Sequence, residues 1–132
     1  MQSNYYPVAY LHEEMPHVVA AADLVLCRAG ANTLWELAAL GKPSVLVPLP
    51  RGASRGDQIE NAGFFAEAGA AVVLQQNGLT PGGLSETVLH LLGNADKLER
   101  MGRRASELSR PDAASRIAQL ILRSGRSGVI AF

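Results

Sequence analysis

The sequence has a single cysteine, Cys27, among its 132 residues. A disulfide framework is therefore excluded, and so is any metal site built on paired cysteines. No HExxH or CxxC pattern occurs, and the three histidines do not cluster in sequence. We assign no metal and no cofactor, and His17 and His90 read as ordinary histidines on helices. Long apolar runs are also missing: although 48% of the residues are hydrophobic, every uninterrupted run is strand-sized, far below the ~20 residues that span a bilayer. No charged segment followed by an apolar stretch and a small-residue cleavage site opens the chain, so a reducing cytoplasmic location is expected. Excess charge is absent too. Twelve Lys/Arg balance twelve Asp/Glu, which argues against a dedicated nucleic-acid binder, whose phosphate affinity needs a basic surplus. The balance is uneven along the chain. Residues 1–96 carry four basic and nine acidic side chains, and residues 97–132 carry eight and three.

What is present is alternation. Tyr6–Leu11, Leu24–Cys27, Ser44–Leu49 and Ala71–Leu74 are short, continuous apolar runs, the pattern of parallel strands covered on both faces. Helical periods separate them: Met15, Val18, Val19 and Ala22; then Leu34, Leu37, Ala38 and Leu40, closed by Gly41 and Pro43; then Ile59, Ala62, Gly63 and Ala66, closed by Gly69. Beyond residue 78 only helices follow. Thr80-Pro81 opens one with Leu84, Val88, Leu91 and Leu92 inward. Asn94 caps a second with Leu98, Met101, Ala105 and Leu108 inward, and a third after Pro111 turns Ala114, Ile117, Leu120 and Ile121 inward. The expected fold is α/β: an incomplete Rossmann-like domain over residues 1–124, with about four parallel strands, helices on both faces, a C-terminal helical segment and a loose tail at 125–132.

Ligands of such sheets bind beyond the carboxyl ends of the strands. At the end of the Leu24–Cys27 run stands CRAGANTLWE. Gly30 between two alanines allows a tight turn and close backbone approach. The amides of Ala31, Asn32 and Thr33 then become first-turn donors for an anion, with Arg28 able to add its guanidinium. Thr33-x-x-Glu36 fits a capping box, but a carboxylate one turn into a phosphate-binding helix also suits a ribose diol. At the next strand end, PLPRGASRGDQIENA starts a helix at Asp57-Gln58. Asp57 with Glu60 is again a capping pair, while Asp57 and Gln58 together offer donors and acceptors for vicinal sugar hydroxyls.

The ordered set Arg28-Ala-Gly-Ala-Asn-Thr33-x-x-Glu36, Gly41-x-Pro43, Pro48 and Gly56-Asp57-Gln58-x-x-Asn61-Ala62 resembles the donor-binding half of the MurG family of bacterial N-acetylglucosaminyltransferases. The resemblance runs from about Leu11 to about Leu122. It implies that Ala31, Asn32 and Thr33 meet a diphosphate through their amides, with Arg28 and Gly30 beside them. By the same resemblance Glu36 holds the ribose of UDP, Asp57 and Gln58 contact N-acetylglucosamine hydroxyls, and the backbone of Leu11 and His12 reads uracil. Two departures stand out: His12 replaces a usual hydrophobic residue, and Asp57 replaces a glutamine found in some members. The family's acceptor-binding domain, its Gly-Gly-Ser loop and its catalytic base have no counterpart in the sequence, so no catalytic residue is assigned.

The resemblance therefore implies the donor half of an inverting transferase that makes lipid II for peptidoglycan, taking UDP-N-acetylglucosamine as donor. Lipid I would reach it through an N-terminal domain, and the whole protein would sit peripherally on the cytoplasmic face of the inner membrane. By itself the chain is expected to be inactive in transfer and to self-associate through an uncovered sheet edge. The alternative is a stand-alone nucleotide-sugar-binding or interaction module without catalysis; a hydrolase or epimerase of the same donor would instead release UDP without acceptor.

Overall fold

The computed structural model describes residues 4–124; the tail assigned to 125–132 lies outside them. Within them, α1 (Met15–Ala21), β1 (Val25–Cys27), α2 (Ala31–Ala39), β2 (Ser44–Leu46), α3 (Asp57–Glu67), β3 (Ala71–Val73), α4 (Pro81–Leu92), α5 (Ala95–Leu108) and α6 (Ala113–Ser124) follow one another. The strands form one parallel sheet in the order β1-β2-β3, with Val25 opposite Ser44 and Ser44 opposite Ala71.

Successive side chains on a strand face opposite ways, and that alternation divides the core in two. Leu46 joins Leu34, Leu37 and Ala38 of α2 and Ala62 and Phe65 of α3, with Val25, Cys27 and Val73 packed against them. Its neighbour Val45 goes to the other face with Leu91 of α4 and Met101 of α5, alongside Leu24, Val72 and Leu74. Helices thus cover both faces. Each fully buried leucine, such as Leu34 or Leu91, contributes roughly 1.5–3 kcal/mol. α5 reaches both clusters through Met101 and Ala105. It approaches the α2–β2 turn so closely that a Cβ on Gly102 would lie 2.7 Å from the Gly41 carbonyl oxygen. The caps read at Thr80 and Asn94 form as expected, accepting from the Gly83 and Lys97 amides. One buried hydroxyl, Ser44 Oγ at the start of β2, has no hydrogen-bond partner.

Three expectations fail. Tyr6–Leu11 is not a strand, so the described residues hold three strands rather than about four. Tyr6, Val8 and Tyr10 are 82%, 61% and 74% exposed, and an apolar segment becomes a strand only where it finds an edge to pair with. α1 buries nothing; of its stripe only Val19 meets the core. α6 also buries no residue, and Ile117, Leu120 and Ile121 are more than half exposed. Helical periodicity reveals an apolar face but not the surface that covers it.

Candidate ligand site at the carboxyl ends of the strands

β1 runs directly into α2 through Arg28, Ala29 and Gly30. The helix N-cap is Gly30, with no side-chain cap, and the first amide to find a carbonyl is that of Leu34, which donates to Gly30. The amides of Ala31, Asn32 and Thr33 therefore have no acceptor among the described residues, and the first two residues are exposed. Gly30 has φ −69°, so no left-handed turn requires glycine there, contrary to the tight-turn expectation. A Cβ built on Gly30 would meet nothing within 4 Å. Its contribution is open space over three free donors.

The N-cap position also decides the role of Glu36. With Gly30 as cap, Thr33 is the third residue of the helix, so the Thr33–Glu36 capping box does not form. Glu36 is exposed, and its carboxylate makes neither a hydrogen bond nor an ion pair among the described residues. It shares a helix face with Thr33 and Asn32, one turn in from the free amides. Likewise Asp57 is not a cap: α3 is capped by Gly56, again without a side-chain bond.

The second loop is built differently. Gly56 has φ +94°, and a Cβ there would lie 2.9 Å from Arg51 Nη1, so glycine is required. Ser54 fixes the turn, its hydroxyl donating towards Leu49 and Pro50 oxygens at 3.4 Å and accepting from the Gly56 amide at 3.2 Å. Gln58 Oε1 accepts from the Leu49 amide at 3.0 Å, which sets its side chain across the loop and leaves its NH₂ without a partner among the described residues.

Two residues tie the loops together, and neither carries a role in the sequence reading. Asn61 Nδ2 donates to the Ala29 carbonyl at 3.2 Å, joining α3 to the β1–α2 loop. Gln76, just past β3, receives Arg28 Nη1 at 2.6 Å, while the same nitrogen donates to Val47 O at 3.0 Å. Arg28 is thus anchored to the ends of β2 and β3. Asn61, a polar residue between Ile59 and Ala62 three positions after Gln58, is the signal that could have found the first tie. Burial pushes the Cys27 thiol, at the end of β1, above its usual pKa. Leu11 is half-buried at the entry to α1, and its backbone groups make no hydrogen bond among the described residues. The His12 amide and carbonyl are both used locally, with Glu14 Oε2 and the Met15 amide. No hydrogen bond links this pair to either loop.

Leu34, Trp35, Asn61 and Phe64 help line a groove of about 300 Å³ between α2 and α3. A larger cavity of about 630 Å³, near Asp23, Lys42, Glu99 and Arg103, lies at the amino ends of the strands, away from the loops. No group of three His, Cys, Asp or Glu that could hold a metal occurs among the described residues.

Residues 2–117 match the glycosyltransferase family 28 C-terminal domain. The chain belongs to that family. It is 46% identical over 99 residues to the UDP-N-acetylglucosamine–N-acetylmuramyl-(pentapeptide) pyrophosphoryl-undecaprenol N-acetylglucosamine transferase of Geobacillus kaustophilus, covering 75% of this chain and 28% of that protein. The protein of the same name from Mycolicibacterium vanbaalenii is 45% identical over 122 residues, covering 92% of this chain and 30% of the relative. The crystal structure of Acinetobacter baumannii MurG superposes with a TM-score of 0.76 at 36% identity, over 86% of this chain and 32% of that one. The chain thus spans less than a third of the length of these relatives.

Proposed function

We propose that this chain binds UDP-N-acetylglucosamine as the donor half of an inverting N-acetylglucosaminyltransferase that makes lipid II. The observation that carries the reading is the set of three unsatisfied amides, Ala31, Asn32 and Thr33, under the open space at Gly30. They take the donor diphosphate, aided by the Thr33 hydroxyl and with Arg28 at the edge. Glu36, released from capping, accepts from the ribose hydroxyls. Asp57 and the NH₂ of Gln58 meet the sugar hydroxyls, and the free backbone of Leu11, next to His12, reads uracil.

In an inverting transfer the acceptor hydroxyl attacks the anomeric carbon as UDP departs. Negative charge then grows on the diphosphate, where fixed amides and the positive end of α2 stabilise it. The base that removes the acceptor proton, and the surface that holds lipid I, belong to the two thirds of the relatives outside the matched region. This chain alone therefore binds donor without transferring it. No described helix is long and apolar enough to cross a membrane, and the relatives' names place an undecaprenol on the acceptor; both are compatible with our reading of the whole protein as peripheral on the cytoplasmic face of the inner membrane.

The Val25 amide donates to Pro43 and Cys27 O accepts from Val47, so the alternate residues Leu24 and Leu26 turn their backbone groups to the open side of β1. Two copies of the isolated chain pair there, and light scattering should detect the dimer at high concentration; a monomer throughout counts against the pairing.

Calorimetric titration tests the donor reading. Weak binding of UDP-N-acetylglucosamine is expected, and Glu36→Ala should weaken it by about tenfold, the loss of roughly one charge-assisted hydrogen bond. Absence of heat at millimolar donor with the unaltered chain overturns it.

A further inference from the structure

The carboxyl ends of all three strands meet in one side-chain contact. Arg28 follows β1, Val47 follows β2 and Gln76 stands three residues beyond β3. Arg28 Nη1 donates to Val47 O at 3.0 Å and to Gln76 Oε1 at 2.6 Å, so both of its hydrogens are taken. The hydrogens on Nε and Nη2 have no acceptor among the described residues, and they form the edge of a guanidinium that pairs side-on with two oxygens. Both acceptors are neutral, and no carboxylate pairs with Arg28 among the described residues. The side chain is thus held without losing its charge. Gln76 has a fixed backbone of its own: the Leu74 amide donates to Leu46 O at 2.9 Å, and the Leu79 amide closes a turn onto Gln76 O at 3.2 Å, with Gly78 at φ +82°. An exposed arginine without partners loses rotamer freedom when a ligand immobilises it. Gln76 removes part of that loss before any ligand arrives.

We propose that Gln76 is a positioning residue: through Arg28 it presents a preset guanidinium edge to the donor diphosphate, and most strongly to the charge that grows there as UDP leaves. The proposal rests on the donor reading above, which puts the diphosphate on amides that begin three residues after Arg28. In the intact donor the terminal phosphate is esterified to the sugar. When the bond between the anomeric carbon and that phosphate oxygen breaks, its electron pair stays with the oxygen, which gains a negative charge. A fixed guanidinium meeting this oxygen favours UDP over the intact donor. Gln76 touches neither substrate nor reacting atoms. An arginine that only fastened the strand ends together would not distinguish the two ligands.

Calorimetry of the chain with UDP and with UDP-N-acetylglucosamine reads the effect. Gln76→Ala should weaken UDP roughly fivefold, the loss that immobilising one long side chain brings, and the sugar nucleotide by about twofold or less. Arg28→Ala should weaken UDP by about tenfold or more. Adding Gln76→Ala to it should change UDP affinity by no more than about twofold, because the glutamine acts through the arginine. NMR of the arginine side-chain nitrogens gives a readout that needs no ligand: restricted rotation separates the two Arg28 Nη signals in the unaltered chain, and Gln76→Ala should merge them. Gln76 is exposed, so thermal unfolding of its variant should be unchanged, which separates loss of binding from loss of fold. Equal losses for UDP and the sugar nucleotide overturn the leaving-group role, and additive losses in the double variant overturn the action through Arg28. If the unaltered chain takes no UDP, the donor reading fails, and the nitrogen signals still judge Gln76: merging keeps it as the residue that orients Arg28, and no change removes it.

Discussion

The two strand-to-helix loops occupy equivalent places in the fold and reach them by opposite means. The β1–α2 loop is three residues, Arg28 to Gly30, whose glycine adopts an ordinary φ of −69° and leaves open space where a Cβ would stand. The β2–α3 loop is ten residues long, folded on its own side chains, and its last glycine, Gly56, is pinned at φ +94° beneath an arginine. In the first, glycine keeps space empty; in the second, glycine makes the backbone possible. One loop presents amides and the other presents side chains, the division that a sugar nucleotide needs, since its diphosphate suits backbone donors and its sugar hydroxyls suit mixed acceptors and donors.

The largest contrast should appear when each glycine gains a methyl group. Gly56→Ala forces a left-handed backbone on an L side chain and pushes Arg51 away, and should cost about 1–3 kcal/mol in urea unfolding. Gly30→Ala, at a φ that any residue adopts, should change stability by no more than about 0.5 kcal/mol: reduced unfolded-state entropy offsets the poorer cap. Donor affinity should move the other way round, falling by about tenfold with Gly30→Ala as the methyl enters the space over the amides. Equal stability losses at the two positions would erase the distinction.

Asn61 is where the loops stop being independent. Asn61→Ala leaves the carbonyl of fully buried Ala29 without its donor and should destabilise by about 1–2 kcal/mol. It should also weaken UDP-N-acetylglucosamine, because the first loop loses its tether to α3. Reduced stability with unchanged donor affinity would mean that the tie is structural only.

Much of this was legible in the sequence because it depends on local pattern. The runs at Leu24–Cys27, Ser44–Leu49 and Ala71–Leu74 all contain strands, and the stripes of α2, α4 and α5 each bury at least one of their expected residues. Illegible parts depended on what a segment meets. Tyr6–Leu11 has strand composition but does not pair with the open side of β1, and α6 has a helical stripe without a surface over it. The capping boxes failed for a subtler reason: Thr33 and Asp57 carry good capping side chains, but each helix begins earlier, on a glycine, so the cap position was already taken. That shift of one to three residues is what leaves Glu36 and Asp57 unengaged at the site.

The smallest effect probes how deep the openness of the first loop extends. Cys27 ends β1 four residues before the first free amide, that of Ala31, and burial raises its thiol pKa from the usual value near 9.0. The folded chain therefore holds this proton where the unfolded chain has released it. Stability is intact below the unfolded pKa and declines as pH climbs from there towards the folded value. Cys27→Ala should remove that part of the alkaline slope in urea midpoints, and alkylation of Cys27 by iodoacetamide at pH ~8 should be slow, since the thiolate is the reactive form. Slow reaction confines the opening to residues 30–33 and makes the first loop a shallow cradle on a closed strand end. Reaction as fast as a free thiol would instead show the strand end itself to be wet, and the two loops would then differ in their glycines but not in their depth.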